Sequence, residues 1–269
     1  MQIVPFIMSK NPLIPFLIDF DGVINLHGKP APFAKEFLEF LRKNKIPSFI
    51  ISNSTLKTSK DVKNFLQENN LSFSIPIMTA ADASLNYVEK NYERVLVYCV
   101  DKVKKEFEKY IDDNNPQAVI VGDMVNEWSV EIINEIFRKV NDGADLVAMH
   151  MNKYWSPEEN KILLDAGSFI SAIEYATSKK AILIGKPSPI YFHTALELLG
   201  YPKESSFLML GDDLAIDKVP TKKMGSKAIL ILTGKTKTPL PSGLQSIPDF
   251  ITNDLSEVIG VLKIFYSLN

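Results

Sequence analysis

Short apolar runs and stretches with apolar residues three and four positions apart succeed one another along the whole chain. The runs Phe16 to Asp19, Pro47 to Ile51, Arg94 to Cys99, Ala118 to Val121, Leu146 to His150, Ala181 to Ile184, Phe207 to Leu210 and Ala228 to Leu232 read as buried strands, with weaker ones near Ile75 and Phe250. Between them, Phe33, Phe37, Phe40 and Leu41 make one helical stripe, and Ile132, Ile133, Ile136, Phe137 and Val140 make another. Strands without polar alternation, separated by amphipathic helices, predict an α/β fold with a doubly wound, mostly parallel sheet. A (β/α)₈ barrel fits the same length and alternation.

Helix starts follow two of the strands. Pro187, Ser188 and Pro189 supply an N-cap and a proline at the first helical position, and Gly200 closes that helix. Thr58 to Asp61 resembles a capping box with Asp in place of Glu. Both loops lead from strand ends into helix N-termini, which favour anions.

Polar groups with chemistry stand where apolar runs end. Asp19 and Asp21 close the first run, and Gly22 permits a sharp turn after them; at a strand exit both carboxylates can enter one loop space, one as nucleophile and one as general acid and then base. Ser52 and Asn53 end the second run, where a hydroxyl and backbone amides can hold phosphoryl oxygens. Lys186 in "LIGKPSP" is a point charge suited to a phosphate. Asp212, Asp213 and Asp217 follow "FLML" and Gly211, three carboxylates within six residues that suit a hard cation. Taken singly, each group is equally a polar turn or a helix cap. Together they belong at the carboxyl edge of one parallel sheet, where open α/β folds place their sites.

The reactive groups occur before about residue 60 and after about residue 185, so the chain divides into a core built from 1–79 and 181–269 and an inserted domain of 80–180. With 30 basic and 32 acidic residues the net charge is −2, which gives no electrostatic footprint for nucleic acid or an anionic membrane. A lone Cys99 inside an apolar run excludes an internal disulfide and a multi-cysteine metal site, and suits a reducing cytoplasm. The first ten residues lack the marks of a signal peptide, and no apolar run reaches the roughly 18 residues that span a bilayer.

The order D-x-D-G-V, S-N, G-K-P, G-D-D-x-x-x-D, each motif after an apolar run, resembles the haloacid dehalogenase superfamily of phosphohydrolases over nearly the whole chain. The insert looks like the type IIA cap of the NagD-like, 4-nitrophenylphosphatase-like group. The stretch from Leu146 to Pro189 is similar to the branch of the phospholysine phosphohistidine inorganic pyrophosphate phosphatases. The resemblance implies a magnesium-dependent phosphatase acting on a small phosphate ester, a phosphoramide or pyrophosphate through an aspartyl phosphate. A phosphomutase or phosphotransferase using the same intermediate is the alternative, and a phosphoreceiver-like module without turnover is a more distant one.

By the same resemblance Asp19 attacks phosphorus and Asp21 protonates the leaving group. Mg²⁺ lies on Asp19, the Asp21 carbonyl and Asp212; Ser52, Asn53 and Lys186 cradle the phosphoryl group; Asp213 and Asp217 support from behind. His150, Lys153, Tyr154 and Trp155 are the candidate substrate contacts of the cap, and relatives of this cap type are often dimers through it. Two departures stand out: "KVPTKKMG" follows Asp217 where D-I-x-G-A is usual, and Lys153 replaces an Arg.

Overall fold

In a computed structural model, the structure describes residues 13–71, 73–158, 161–214, 217, 219–240 and 247–268. The first stretch contains β1 (Phe16–Asp19), a hairpin of β2 (Asn25–Leu26) and β3 (Lys29–Pro30), α1 (Ala34–Lys43), β4 (Ser48–Ser52), α2 (Ser59–Glu68), β5 (Ile77–Thr79) and α3 (Ala80–Asn91). The middle holds β6 (Val95–Tyr98), α4 (Asp101–Lys104), β7 (Ala118–Val121), α5 (Val130–Asn141), β8 (Asp145–Ala148), a hairpin of β9 (Tyr154–Glu158) and β10 (Lys161–Leu164), α6 (Ala166–Thr177) and β11 (Ile182–Leu183). The last stretch contains α7 (Pro189–Leu198), β12 (Leu208–Gly211), α8 (Val219–Lys223), β13 (Lys227–Ile231), β14 (Phe250–Thr252) and α9 (Leu255–Phe265).

Apart from the two hairpins, the strands of the described residues form two separate open sheets, so the barrel alternative is wrong. One runs β14-β13-β12-β1-β4-β5 and the other β11-β8-β7-β6, and every pairing within both is parallel. The second sheet reaches further along the chain than the sequence reading has it. Ile182 and Leu183, assigned above to the core, pair with Val147 and Ala148 of β8. The strand expected near Ile75 begins only at Ile77, because Pro76 has no N–H to give the ladder and offers its carbonyl to Ile50 N at 2.9 Å instead.

Side-chain alternation sorts the core into layers. Phe16, Ile18 and Ile50 pack with Phe37 and Leu41 of α1, Val62 of α2 and Leu262 of α9. Leu17, Phe49 and Ile51 point the other way, into one apolar cluster that also holds Val88 of α3, Phe192 and Leu196 of α7, and Val97, Ile120 and Val147 of the second sheet. α3 and α7 thus form a layer shared by both sheets. The far face of the second sheet, with Val119, Leu146 and Ala148, packs on Ile136 of α5 and Ile170 of α6. Among the described residues no helix is long and apolar enough to cross a membrane.

Candidate active site

β12, β1 and β4 are neighbours, so their carboxyl ends deliver Asp212, Asp19 and Ser52 side by side. Asp19 is 7% exposed; its Oδ1 accepts the N–H of Phe20 at 2.8 Å and its Oδ2 lies 2.6 Å from Lys186 Nζ. Lys186 is buried and also meets Asp217 Oδ1 at 2.7 Å. It arrives from the loop between β11 and α7, held there because Asn53 Nδ2 donates to its carbonyl at 3.1 Å and Ser188 caps α7 through Ile190 N–H.

Negative charge exceeds positive in this space. One oxygen each of Asp19, Asp212 and Asp217 lie within 4.8 Å of one another, all three residues buried, with a single ammonium among them. Burial raises the Asp19 carboxyl well above the usual range; Lys186 draws it down, and Asp217 and Asp212 push it up again. Asp212 is pushed up to about 6, first by burial and then by Asp217, against the Lys235 N–H that it accepts at 2.7 Å. Burial opposes the charge on Lys186, yet Asp19 and Asp217 outweigh it and hold the ammonium above the ordinary lysine value.

The backbone leaves a seat for the Asp212 carboxylate. A Cβ on Gly22, whose φ is +82°, would lie 2.2 Å from Asp212 Oδ2, and a Cβ on Gly234 would lie 1.8 Å from the same oxygen. An all-oxygen donor set with surplus negative charge fits a hard divalent cation. Asp217 Oδ2 accepts Asp213 N–H at 3.2 Å, and Asp213 pairs with Lys235 Nζ at 3.1 Å. Lys218, where the sequence departs from the family pattern, lies outside the described residues.

Asp21 has a different setting. Its side chain is 47% exposed, and its oxygens accept Ser52 Oγ at 3.0 Å and Asn25 Nδ2 at 2.8 Å, with Lys57 Nζ at 3.8 Å. One acid is thus enclosed beside a lysine while the other stands at the mouth, an arrangement that lets two carboxylates take different roles. Ser52 is fixed from behind by the fully buried Tyr191, whose Oη accepts Ser52 N–H at 3.1 Å and lies 2.7 Å from Ser52 O and 2.9 Å from Met78 O. Asn53 Oδ1 is buried and has no hydrogen-bond partner among the described residues.

Asp19, Asp21, Asn53, Lys186, Asp212 and Asp213 line one cavity of about 910 Å³. Ser52 and Asp217 are buried beside it, in contact with Asp21 and Lys186 respectively. Its opposite wall is formed by Asp123, His150 and Asn152 beyond the carboxyl edge of the second sheet, with Trp155 from β9 and Asp165 from the start of α6. Lys153 and Tyr154 do not line it. Successive side chains of β9 leave on opposite faces, so Trp155 on the cavity puts Tyr154, 62% exposed, on the other side. Sequence reasoning missed Asn25, Tyr191, Lys235, Asp123 and Asp165. Asn25, four residues after Asp21 in the same turn, carried a readable signal.

Comparison with known proteins agrees with this geometry. Residues 16–110 match the family model of the haloacid dehalogenase-like hydrolases, and residues 183–258 match a HAD-hydrolase-like model. Haloacid dehalogenase-like hydrolase domain-containing protein 2 of Bos taurus is 31% identical over 230 residues, 84% of this chain and 87% of that protein. Phospholysine phosphohistidine inorganic pyrophosphate phosphatase of Homo sapiens is 26% identical over 91% of this chain and 93% of its own. The solved structure of a 4-nitrophenylphosphatase from Thermotoga maritima superposes with a TM-score of 0.83 at 26% identity, covering 93% of this chain and 97% of that one. By these matches the chain, with its acidic cluster and buried lysine at one sheet edge, belongs to the haloacid dehalogenase-like hydrolases and is one of their phosphohydrolases.

Proposed function

We propose that the protein is a magnesium-dependent phosphatase of small phosphorylated metabolites, working through a phosphoryl group carried on Asp19. The observation that carries this reading is the division of labour between the two acids: Asp19 is enclosed 2.6 Å from Lys186, while Asp21 stands half exposed on Ser52 and Asn25. An Asp19 oxygen bonds to phosphorus as the bond from phosphorus to the leaving atom breaks, and Asp21 gives that atom its proton. Asp21 then takes a proton from water, the water oxygen bonds to phosphorus, and the bond to Asp19 breaks, releasing phosphate. Ser52, the Asn53 amide and Lys186 hold the phosphoryl oxygens throughout. Asp19, the Asp21 carbonyl and Asp212 would hold Mg²⁺, which when bound supplies positive charge against the developing negative charge.

A curated relative named for phospholysine, phosphohistidine and pyrophosphate supports a range that includes phosphoramides and pyrophosphate as well as esters. The reading extends to a dimer formed through the second-sheet region, supported by the exposed Ile162, Leu164 and Tyr175, and to a cytoplasmic setting, supported by the single buried Cys99. Light scattering on the purified protein tests the dimer. Hydrolysis of 4-nitrophenyl phosphate with Mg²⁺ tests the chemistry: turnover is expected, lost on chelation and in Asp19→Asn with the fold intact. Undiminished turnover by Asp19→Asn removes Asp19 as nucleophile.

A further inference from the structure

The wall that faces the phosphoryl site has chemistry of its own. Asp123 follows β7 and His150 follows β8 at the carboxyl edge of the second sheet, and Asp165, between the β9–β10 hairpin and α6, joins them on the cavity. One oxygen of each carboxylate and a ring nitrogen of His150 lie within 4.8 Å of one another. The three residues are at most 8% exposed. The group is tied to the phosphoryl side, because Asp123 N–H donates to Thr55 Oγ1 at 3.0 Å, in the loop that leaves Ser52 and Asn53.

Local structure consumes only part of this bonding capacity. Asp123 Oδ1 accepts Val125 N–H at 2.7 Å and Asp165 Oδ1 accepts Ala166 N–H at 2.7 Å as the N-cap of α6. Among the described residues, the donors to these carboxylates are backbone N–H groups of their own turns, Val125 and Met124 on Asp123 and Ala166 on Asp165, and both residues line the cavity. His150, 2% exposed, accepts Asn152 N–H on Nδ1 at 3.1 Å, which places the proton of the neutral ring on Nε2. Among the described residues Nε2 makes no hydrogen bond, and Asp165 Oδ1, which accepts Ala166 N–H, lies 3.7 Å away.

This set rejects two ligand classes. A metal ion needs the lone pair on Nε2, yet the backbone N–H on Nδ1 leaves a proton there, the reverse of the usual arrangement in which a ligating histidine donates from its other nitrogen. An ammonium group would suit the carboxylates but would meet the positive end of the Nε2–H bond. A hydroxyl fits His150 and one carboxylate, accepting from Nε2–H while donating its single proton to an oxygen, and two neighbouring hydroxyls would occupy both carboxylates. Burial lowers the imidazole from its ordinary value, against the pull of Asp165 and Asp123, which favours the neutral, single-donor ring.

Resting on the phosphatase reading, we infer that Asp123, His150 and Asp165 form a hydroxyl-reading subsite, and that the physiological substrate is a polyol or sugar phosphate whose leaving group carries adjacent hydroxyls. The test compares kcat/KM for glycerol 1-phosphate and erythritol 4-phosphate with propyl and butyl phosphate, and with 4-aminobutyl phosphate. The polyols are expected to lead by about tenfold to a hundredfold, the range of one hydrogen bond to a charged group, mainly through KM. In Asp123→Asn and Asp165→Asn, which keep the backbone bonds on Oδ1, the polyol-to-alkyl ratio should fall toward one. Calorimetric dissociation constants for the erythritol phosphonate and butylphosphonate give the same ratio without turnover. Absence of hydrolysis of every ester therefore counts against the phosphatase reading alone. Equal use or equal binding of polyol and alkyl compounds, a lead for the aminoalkyl ester, or a ratio that survives both Asn substitutions overturns the subsite.

Discussion

Replacing Lys186 by methionine removes the one ammonium among three buried carboxylates while nearly conserving volume. Its Nζ lies 2.6 Å from Asp19 and 2.7 Å from Asp217. At an effective dielectric of 20, each contact is worth roughly 6 kcal/mol of Coulomb energy, and the buried ammonium gives back several kcal/mol in desolvation. The net loss expected is about 3–5 kcal/mol, the range seen when one partner of a buried pair is deleted and the other is left uncompensated. For a chain of this size that lowers the melting midpoint by roughly 6–20 °C. Thermal melts followed by circular dichroism, in chelator and in Mg²⁺, make the measurement. Two partial rescues are expected: Mg²⁺ should raise the midpoint of Lys186→Met more than that of the wild type, and adding Asp217→Asn should recover part of the loss. A Lys186→Met protein that melts within about 2 °C of wild type in chelator refutes the charge balance drawn above.

Three further perturbations probe separate parts of the site. Asp21→Ala should lower kcat by about 10² to 10⁴ with little change in melting, because this carboxylate is half exposed; an unchanged kcat removes it as acid and base. Tyr191→Phe strips the partner from a buried Ser52 N–H and should cost about 1–3 kcal/mol, read as a lower denaturant midpoint at constant slope. Asp123→Asn should raise the melting midpoint more at pH 7 than at pH 4. Burial, then Asp165, raises the folded-state value of Asp123 despite the opposing Val125 N–H. The folded state therefore holds this proton more tightly than the unfolded one. That contribution is complete below the unfolded value and is lost as pH rises through the folded value, whereas asparagine does not titrate. A gap that is constant across this range contradicts the raised value.

What the sequence discloses depends on how local the signal is. Asp19, Ser52 and Asp212 each close an apolar run long enough to be recognised, and parallel pairing alone brings run ends together. The hairpin of β9 and β10 was not legible, because "YWSPE" shows neither alternation nor a continuous apolar run. Tyr191 sits in a helix whose pattern explains it as packing, and its role appears only when α7 brings its hydroxyl to the end of β4. Asp123 and Asp165 look like a turn residue and a helix cap, which in part they are. Their common cavity exists only because the carboxyl edges of two sheets face each other, a relation that no residue spacing encodes.

The layer of α3 and α7 has a consequence for how such a molecule can be taken apart or recombined. Cutting out 80–180 as a cassette would remove α3 and strip Leu17, Phe49 and Ile51 of part of their cover, while α7 would lose Val97, Ile120 and Val147 as packing partners. Each Leu or Ile side chain newly exposed forfeits roughly 1.5–3 kcal/mol, which a handful of such residues multiplies beyond the stability of an ordinary domain. The specificity wall and the phosphoryl wall are therefore not interchangeable parts. A transplanted insert would have to bring a matching α3 surface with it, so altered substrate choice is reached more readily by point changes on the three strand-end loops than by exchange of the whole insert.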